Sequence, residues 1–111
     1  MASHGLRNHY HDAGLAGYTI GPRREVTLKI QLDSVWNPNG GPVNVRFGGI
    51  GNFEEVKRFL GAFPAESGER FIDTLMDLSC GGKAGHLVCT LALLNGSKTK
   101  IACRSVSERD A

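Results

Sequence analysis

The amino-acid sequence predicts an α+β fold: one domain with a mostly antiparallel sheet of about five strands, in the order β-β-β-α-α-β-β, and two helices on one face of the sheet. Three observations support this prediction. Residues 26–32 alternate apolar and polar side chains with a strict period of two, as a half-buried strand does. Apolar side chains over 53–63 recur at spacings of three and four, as in an amphipathic helix. Asn95-Gly96, between two apolar runs, is a strong hairpin signal.

Composition limits the domain count and the partners. The chain has 111 residues, of which 41% are hydrophobic, which is enough for one core. Its net charge of +2 is too small to indicate nucleic-acid binding. The longest apolar run, 87–94, is far shorter than the roughly 20 residues that a membrane-spanning helix needs. We expect a soluble protein that binds neither nucleic acid nor membrane.

The first third of the chain predicts three strands after a flexible arm. Residues 1–14 are polar and rich in Gly and His, so we expect them to form the arm. The single domain then spans 15–106. Its first strands are expected at 15–20, at 26–32 and, after a loop rich in Asn, Pro and Gly, at 43–47.

Two helices are expected in the middle of the chain. Asn52 is a suitable N-cap for the first helix, and Glu55 three residues later completes a capping box. The second helix is expected over 67–80, ended by Gly81-Gly82. Its polar side would carry an acidic stripe formed by Glu69, Asp73 and Asp77.

The last third predicts a hairpin followed by a solvated tail over 107–111. Residues 87–94 are apolar at nearly every position, which favours a strand buried on both faces, and 99–106 form the returning strand. Cys89 and Cys103 each lie seven residues from Gly96, so they should face each other or nearly so across the hairpin. Such a pair is either redox-labile or simply two small buried apolar side chains.

Cysteine usage predicts the compartment. The chain has three cysteines and no C-x-x-C pair, which argues against a disulfide scaffold and against a zinc ribbon. We therefore expect reduced thiols and a cytoplasmic location.

A metal site is one interpretation of the N-terminal arm. In an extended chain His9 and His11 point to the same side, with Asp12 adjacent, so both imidazoles could reach one ion. The alternative is a polar arm whose histidines form local hydrogen bonds.

Other candidate residues concern ligand binding and assembly. A pocket between the helices and the sheet would draw on Tyr18, Arg46 and His86 as converging polar groups. A surface formed by Tyr18, Trp36 and Val43 would meet a second copy of the chain, a dimer being favoured. No motif presents a nucleophile, so we predict no catalytic residues and no cofactor.

Three short patterns stand in the first half of the chain. They are His11-Asp12-Ala13 followed by Leu15, the segment from Arg24 to Leu32, and Val43-x-Val45-x-Phe47-x-Gly49-Ile50 leading into Asn52-Phe53. Together they resemble a set of small uncharacterised bacterial proteins, some of which are described as immunity-like. The resemblance implies a compact α+β domain that binds another protein, and it transfers no catalytic residue.

Two functions follow from the sequence. The first is a non-enzymatic binding or interaction module that forms a homo-oligomer. The second is a small-molecule-binding domain, or a modest enzyme, with a pocket between sheet and helices.

Overall fold

A computed structural model describes residues 6, 10–33, 37, 40–63, 72–83 and 85–110 of the chain. Within these residues it has seven strands in one antiparallel sheet and a single helix. The elements are β1 (Gly14–Gly21), β2 (Glu25–Gln31), β3 (Pro42–Gly48), α1 (Phe53–Gly61), β4 (Asp73–Lys83), β5 (His86–Leu93), β6 (Lys98–Cys103) and β7 (Ser105–Asp110). The predicted five-stranded α+β fold with two helices is therefore wrong.

The first three strands and α1 confirm the predictions made from local periodicity. In β2 the apolar side chains Val26, Leu28 and Ile30 are buried, while the polar side chains between them are half-buried. β3 pairs with β2 in regular register, and its apolar positions face the same core. α1 buries Val56 and Leu60 in that core. Within the described part of the chain, no helix has the length and apolar character needed to cross a membrane.

The sheet curls until its two ends meet. Its strand order is β6-β5-β4-β1-β2-β3-β7, and the strands at the two ends, β6 and β7, are separated in sequence only by Arg104. The Arg104 N–H donates to the Gly48 carbonyl at 2.9 Å, which holds this bend against the end of β3. One bent segment thus pairs with β5 through its first half and with β3 through its second half. The sheet encloses the core because its apolar face lies on the inside of the curl.

The predicted second helix is wrong because a β-bulge imitates helical spacing. The β4–β5 register passes from Leu75 opposite Leu93 to Asp77 opposite Ala92, so Met76 is an extra residue in β4. The buried residues Leu75 and Leu78 are therefore three positions apart, although they face the same side of a strand. That spacing is the one an amphipathic helix would show. Of the expected acidic stripe, Asp73 and Asp77 lie on β4, and Glu69 lies outside the described residues.

In the last third of the chain more residues lie in strands than predicted, and β5 is buried on one face only. Its burial alternates, and Val88 is 47% exposed. The expected strand over 99–106 is divided at Arg104 into β6 and β7. The tail expected over 107–111 instead lies in β7 as far as Asp110, paired with β3, and Ala111 lies outside the described residues.

The N-terminal arm contributes to the core at the positions that the structure describes. Leu6, Tyr10 and Ala13 are buried. The Tyr10 hydroxyl donates to the Glu108 carboxylate on β7, which ties the segment before β1 to the last strand. Residues 1–5 and 7–9 lie outside the described residues, so the prediction of a flexible arm stays untested there.

Candidate ligand-binding groove

The start of α1 is fixed to the outer edge of β6 by hydrogen bonds. The Gly51 N–H donates to the Ala102 carbonyl at 2.7 Å. The Asn52 side chain donates through Nδ2 to the Lys100 carbonyl at 2.7 Å and accepts through Oδ1 from the Ala102 N–H at 2.9 Å. Asn52 therefore pairs with β6 much as a neighbouring strand would.

The predicted capping box is wrong in its main contact. Asn52 accepts no side-chain hydrogen bond from a backbone N–H in the first turn of α1, because its Oδ1 accepts from the Ala102 N–H of β6 instead. Glu55 still contacts it, since Asn52 Nδ2 also donates to the Glu55 carboxylate at 2.7 Å. The residue that sequence patterns assign to a helix cap instead positions the helix on the sheet.

The alternation of β6 places unshared backbone groups beside the helix. Ala102 and the Lys100 carbonyl turn toward Asn52, so by the alternation of an antiparallel strand the backbone groups of Thr99, Ile101 and Cys103 turn toward β5. By the same alternation, the amide N–H of Lys100 and the N–H and carbonyl of Lys98 face the outer side of β6. The Asn52 side chain forms no hydrogen bond to these groups.

An open groove of about 530 Å³ runs between α1 and this part of β6. Its lining residues come from three elements: Glu55, Arg58 and Phe59 of α1, Thr90 of β5, and Lys98, Thr99 and Lys100 of β6. Its volume lies within the roughly 300–1,000 Å³ of small-molecule sites.

The groove carries an excess of positive charge. Arg58, Lys98 and Lys100 are exposed, and no carboxylate of the described residues lies within ion-pair distance of them. The Glu55 carboxylate is held by Asn52 instead. Phe59 is half-buried, so an aromatic ring adjoins the three cations.

A second depression, of about 390 Å³, lies on the other side of the Gly51–Asn52 contact. It is lined by His86 and Val88 of β5, Ala102 and Cys103 of β6, Arg104, and neighbouring residues that include Gly49 and Gly51. Gly49 adopts a left-handed conformation with φ of +63°. A side chain there would press on Arg104, since a Cβ atom would lie 3.0 Å from its side-chain carbons.

The three cysteines form one cluster in the core. Cys80 of β4 and Cys89 of β5 lie directly opposite each other and are joined by a disulfide. Cys103 is a free thiol whose Sγ lies 4.0 Å from that of Cys89. Burial raises the pKa of the Cys103 thiol, and a hydrogen bond from the Ser105 backbone opposes this only in part.

The cysteine predictions are therefore partly confirmed. Cys103 lies opposite Leu87, diagonally across from Cys89, so the expected proximity of Cys89 and Cys103 is confirmed. The expectation that all thiols are reduced is wrong, since Cys80 and Cys89 are bonded. The sequence missed Cys80 because the bulge in β4 gave its strand a helical pattern.

The predicted pocket residues Tyr18, Arg46 and His86 do not converge. Tyr18 is buried, and its hydroxyl donates to the Phe63 carbonyl at 2.8 Å, just after α1. Arg46 lies on the opposite face of the sheet, where it pairs with Glu25 at 2.6 Å. His86 lines the second depression.

Two of the three predicted interface residues do not lie at the surface. Tyr18 and Val43 are buried inside the chain, so their side chains belong to its own core. Trp36 lies outside the described residues. The predicted homo-oligomer stays a prediction.

The candidate metal ligands are described in part. His11 Nδ1 bonds to the Met76 carbonyl at 2.9 Å, and its Nε2 lies 3.6 Å from the Asp12 carboxylate. His9 lies outside the described residues, and no group of three or more potential ligands occurs among the residues that the structure describes. The metal site stays a prediction.

Comparison with known proteins identified no relative. A scan against protein-family models gave no match, and searches of curated proteins and of solved structures likewise found nothing similar. The resemblance to small bacterial α+β proteins therefore stays a prediction. Any function of the groove has to follow from its own chemistry.

The sequence contains a signal for the groove that pattern analysis passed over. Lys98 and Lys100 alternate with Thr99 and Ile101, which are buried, so the two lysines share one face of a strand. Nothing in the sequence shows that the last turn of α1, with Arg58 and Phe59, comes to lie beside them.

Proposed function

We propose that the protein is a binding module that holds a small organic anion in the groove between α1 and β6. The observation that carries this proposal is the grouping of Arg58, Lys98 and Lys100 around one concave site without a carboxylate partner among the described residues. Of the two functions expected from the sequence, this geometry favours the small-molecule-binding domain.

The charged groups suit a carboxylate or a phosphate. Arg58 offers a planar guanidinium that binds either group through two parallel hydrogen bonds, and the lysines add mobile charge. The outward Lys100 N–H offers one further donor, fixed by the strand. Because these donors come from two separate elements, a compact anion can be contacted from both sides.

The apolar part of the groove suits a ring. The half-buried Phe59 provides an aromatic surface, and Thr90 and Thr99 also line the groove. Aromatic stacking favours a planar ligand body and leaves its anionic group toward the cations. The expected ligand class is therefore a planar organic anion.

Matched probes separate the two parts of this proposal. Adenosine monophosphate carries both a ring and a phosphate, adenosine lacks the phosphate, and ribose 5-phosphate lacks the ring. Titration calorimetry is expected to show the tightest binding for adenosine monophosphate and an affinity that falls as salt is added. Weak binding of both partial probes would show that each part contributes.

Variants of the chain provide the control. Lys98→Ala combined with Lys100→Ala should weaken binding of adenosine monophosphate at least about tenfold, because two charge-assisted contacts are lost. Lys57→Ala is the matched control, since Lys57 lies on α1 near Glu54 and outside the groove. Equal affinities for the double variant and the wild type would overturn the proposed site, as would failure of all anionic probes to bind at millimolar concentration.

A further inference from the structure

The cysteine cluster spans three adjacent strands on the buried face of the sheet. Cys80, Cys89 and Cys103 lie on β4, β5 and β6, and all three are buried. Cys89, on the middle strand, is bonded to Cys80 and lies 4.0 Å from Cys103, sulfur to sulfur. It therefore adjoins two possible partners at once.

We propose that Cys103 exchanges with the Cys80–Cys89 disulfide, so that the covalent link moves from β4–β5 to β5–β6. The Cys103 thiol first gives its proton to solvent base. Its thiolate then attacks Cys89 Sγ; the Cys89–Cys103 bond forms as the Cys80–Cys89 bond breaks, and Cys80 leaves as a thiolate that takes up a proton. One disulfide and one thiol stand on each side of the reaction, so no oxidant or reductant is consumed.

The required motion is small. The two sulfurs must close from 4.0 Å to a bond length of about 2.05 Å, a distance that side-chain rotation and slight strand movement can cover. The attack is directed at Cys89 because Cys103 lies diagonally across from it on the adjacent strand.

Protonation controls the rate of this exchange. Cys103 is one of the residues that line the second depression, so the thiol lies close to the protein surface although it is buried. Burial raises the pKa of the thiol, so little thiolate exists at neutral pH. The exchange should therefore accelerate about tenfold for each pH unit below the thiol pKa.

The first experiment tests whether Cys89 and Cys103 form a disulfide when Cys80 is absent. In Cys80→Ser, mild oxidation with oxidised glutathione should give a monomer in which Cys89 and Cys103 are linked. Trypsin separates all three cysteines, because Lys83 lies between Cys80 and Cys89, and Lys98 and Lys100 lie between Cys89 and Cys103. Mass spectrometry of the digest should show the peptides of Cys89 and Cys103 joined. Free or separately glutathionylated Cys89 and Cys103 would overturn the proposal.

The second experiment uses the unaltered chain and does not depend on the folding of a variant. Iodoacetamide added at about pH 8.5 traps whichever thiol is free, since thiolates react and thiols do not. Exchange predicts label on Cys80 together with a Cys89–Cys103 link, forming about tenfold faster than one pH unit lower. Label on Cys103 alone would contradict it. Cys103→Ser is the control, in which Cys80 should stay unlabelled.

Discussion

The β2–β3 and β4–β5 hairpins differ in how regularly their strands pair. β2 and β3 pair over six consecutive positions without interruption. β4 and β5 contain a bulge at Met76, a disulfide, and left-handed backbone at Gly82 and Gly85. The regular hairpin supplies alternating core residues, whereas the irregular one carries the cysteines and supports the strand that lines the groove.

The largest expected effect concerns the regular hairpin. Phe47 of β3 is fully buried, so Phe47→Ala should lower the free energy of unfolding by about 3–5 kcal/mol through lost apolar contact and the cavity left behind. Urea denaturation followed by circular dichroism measures this loss. The adjacent Arg46 faces outward with a 55% exposed side chain, so Arg46→Ala should cost less than about 1 kcal/mol. Similar losses for the two variants would contradict the assignment of inner and outer faces.

The second expected effect tests the irregular hairpin at Gly82. This residue has φ of +112°, and an added Cβ would lie 2.4 Å from the His86 carbonyl oxygen. Gly82→Ala should therefore destabilise the protein by about 1–3 kcal/mol through backbone strain. Gly81 is the matched control, because a Cβ there meets nothing within 4 Å. If thermal unfolding shows Gly81→Ala to be as harmful as Gly82→Ala, the described β4–β5 turn is wrong.

The contrast between the hairpins also explains how far the sequence could predict the fold. β2, β3, α1 and the turn at Asn95-Gly96 depend on local periodicity and turn chemistry, which the sequence displays directly. β4 escaped prediction because one bulged residue converted its period of two into a spacing of three.

The closure of the sheet had no local signal. β7 has the sequence Ser-Val-Ser-Glu-Arg-Asp, which resembles a solvated tail, and its pairing with β3 joins segments about 60 residues apart. The same long-range closure brings α1 against β6 through Asn52. The residue types of the groove were therefore visible in the sequence, but their juxtaposition was not.

The smallest expected effect concerns that juxtaposition. Asn52→Ala removes both side-chain hydrogen bonds to β6 and should cost about 1 kcal/mol. Hydrogen exchange of the Ala102 amide should then accelerate about fivefold, the factor that corresponds to this energy. Glu55→Ala leaves both bonds to β6 in place and should not change that rate. Unchanged exchange in Asn52→Ala would show that Asn52 does not hold the β6 edge.

The central claim is that the groove between α1 and β6 binds planar organic anions. The most direct test is to titrate the unaltered protein with adenosine monophosphate and to record the chemical shifts of its backbone amides by NMR spectroscopy. The account predicts that shifts concentrate on residues 55–59 and 98–100, with the Lys100 N–H among the largest because it points to the outer side of β6. Shifts concentrated on the second depression, or spread evenly over the surface, would contradict it.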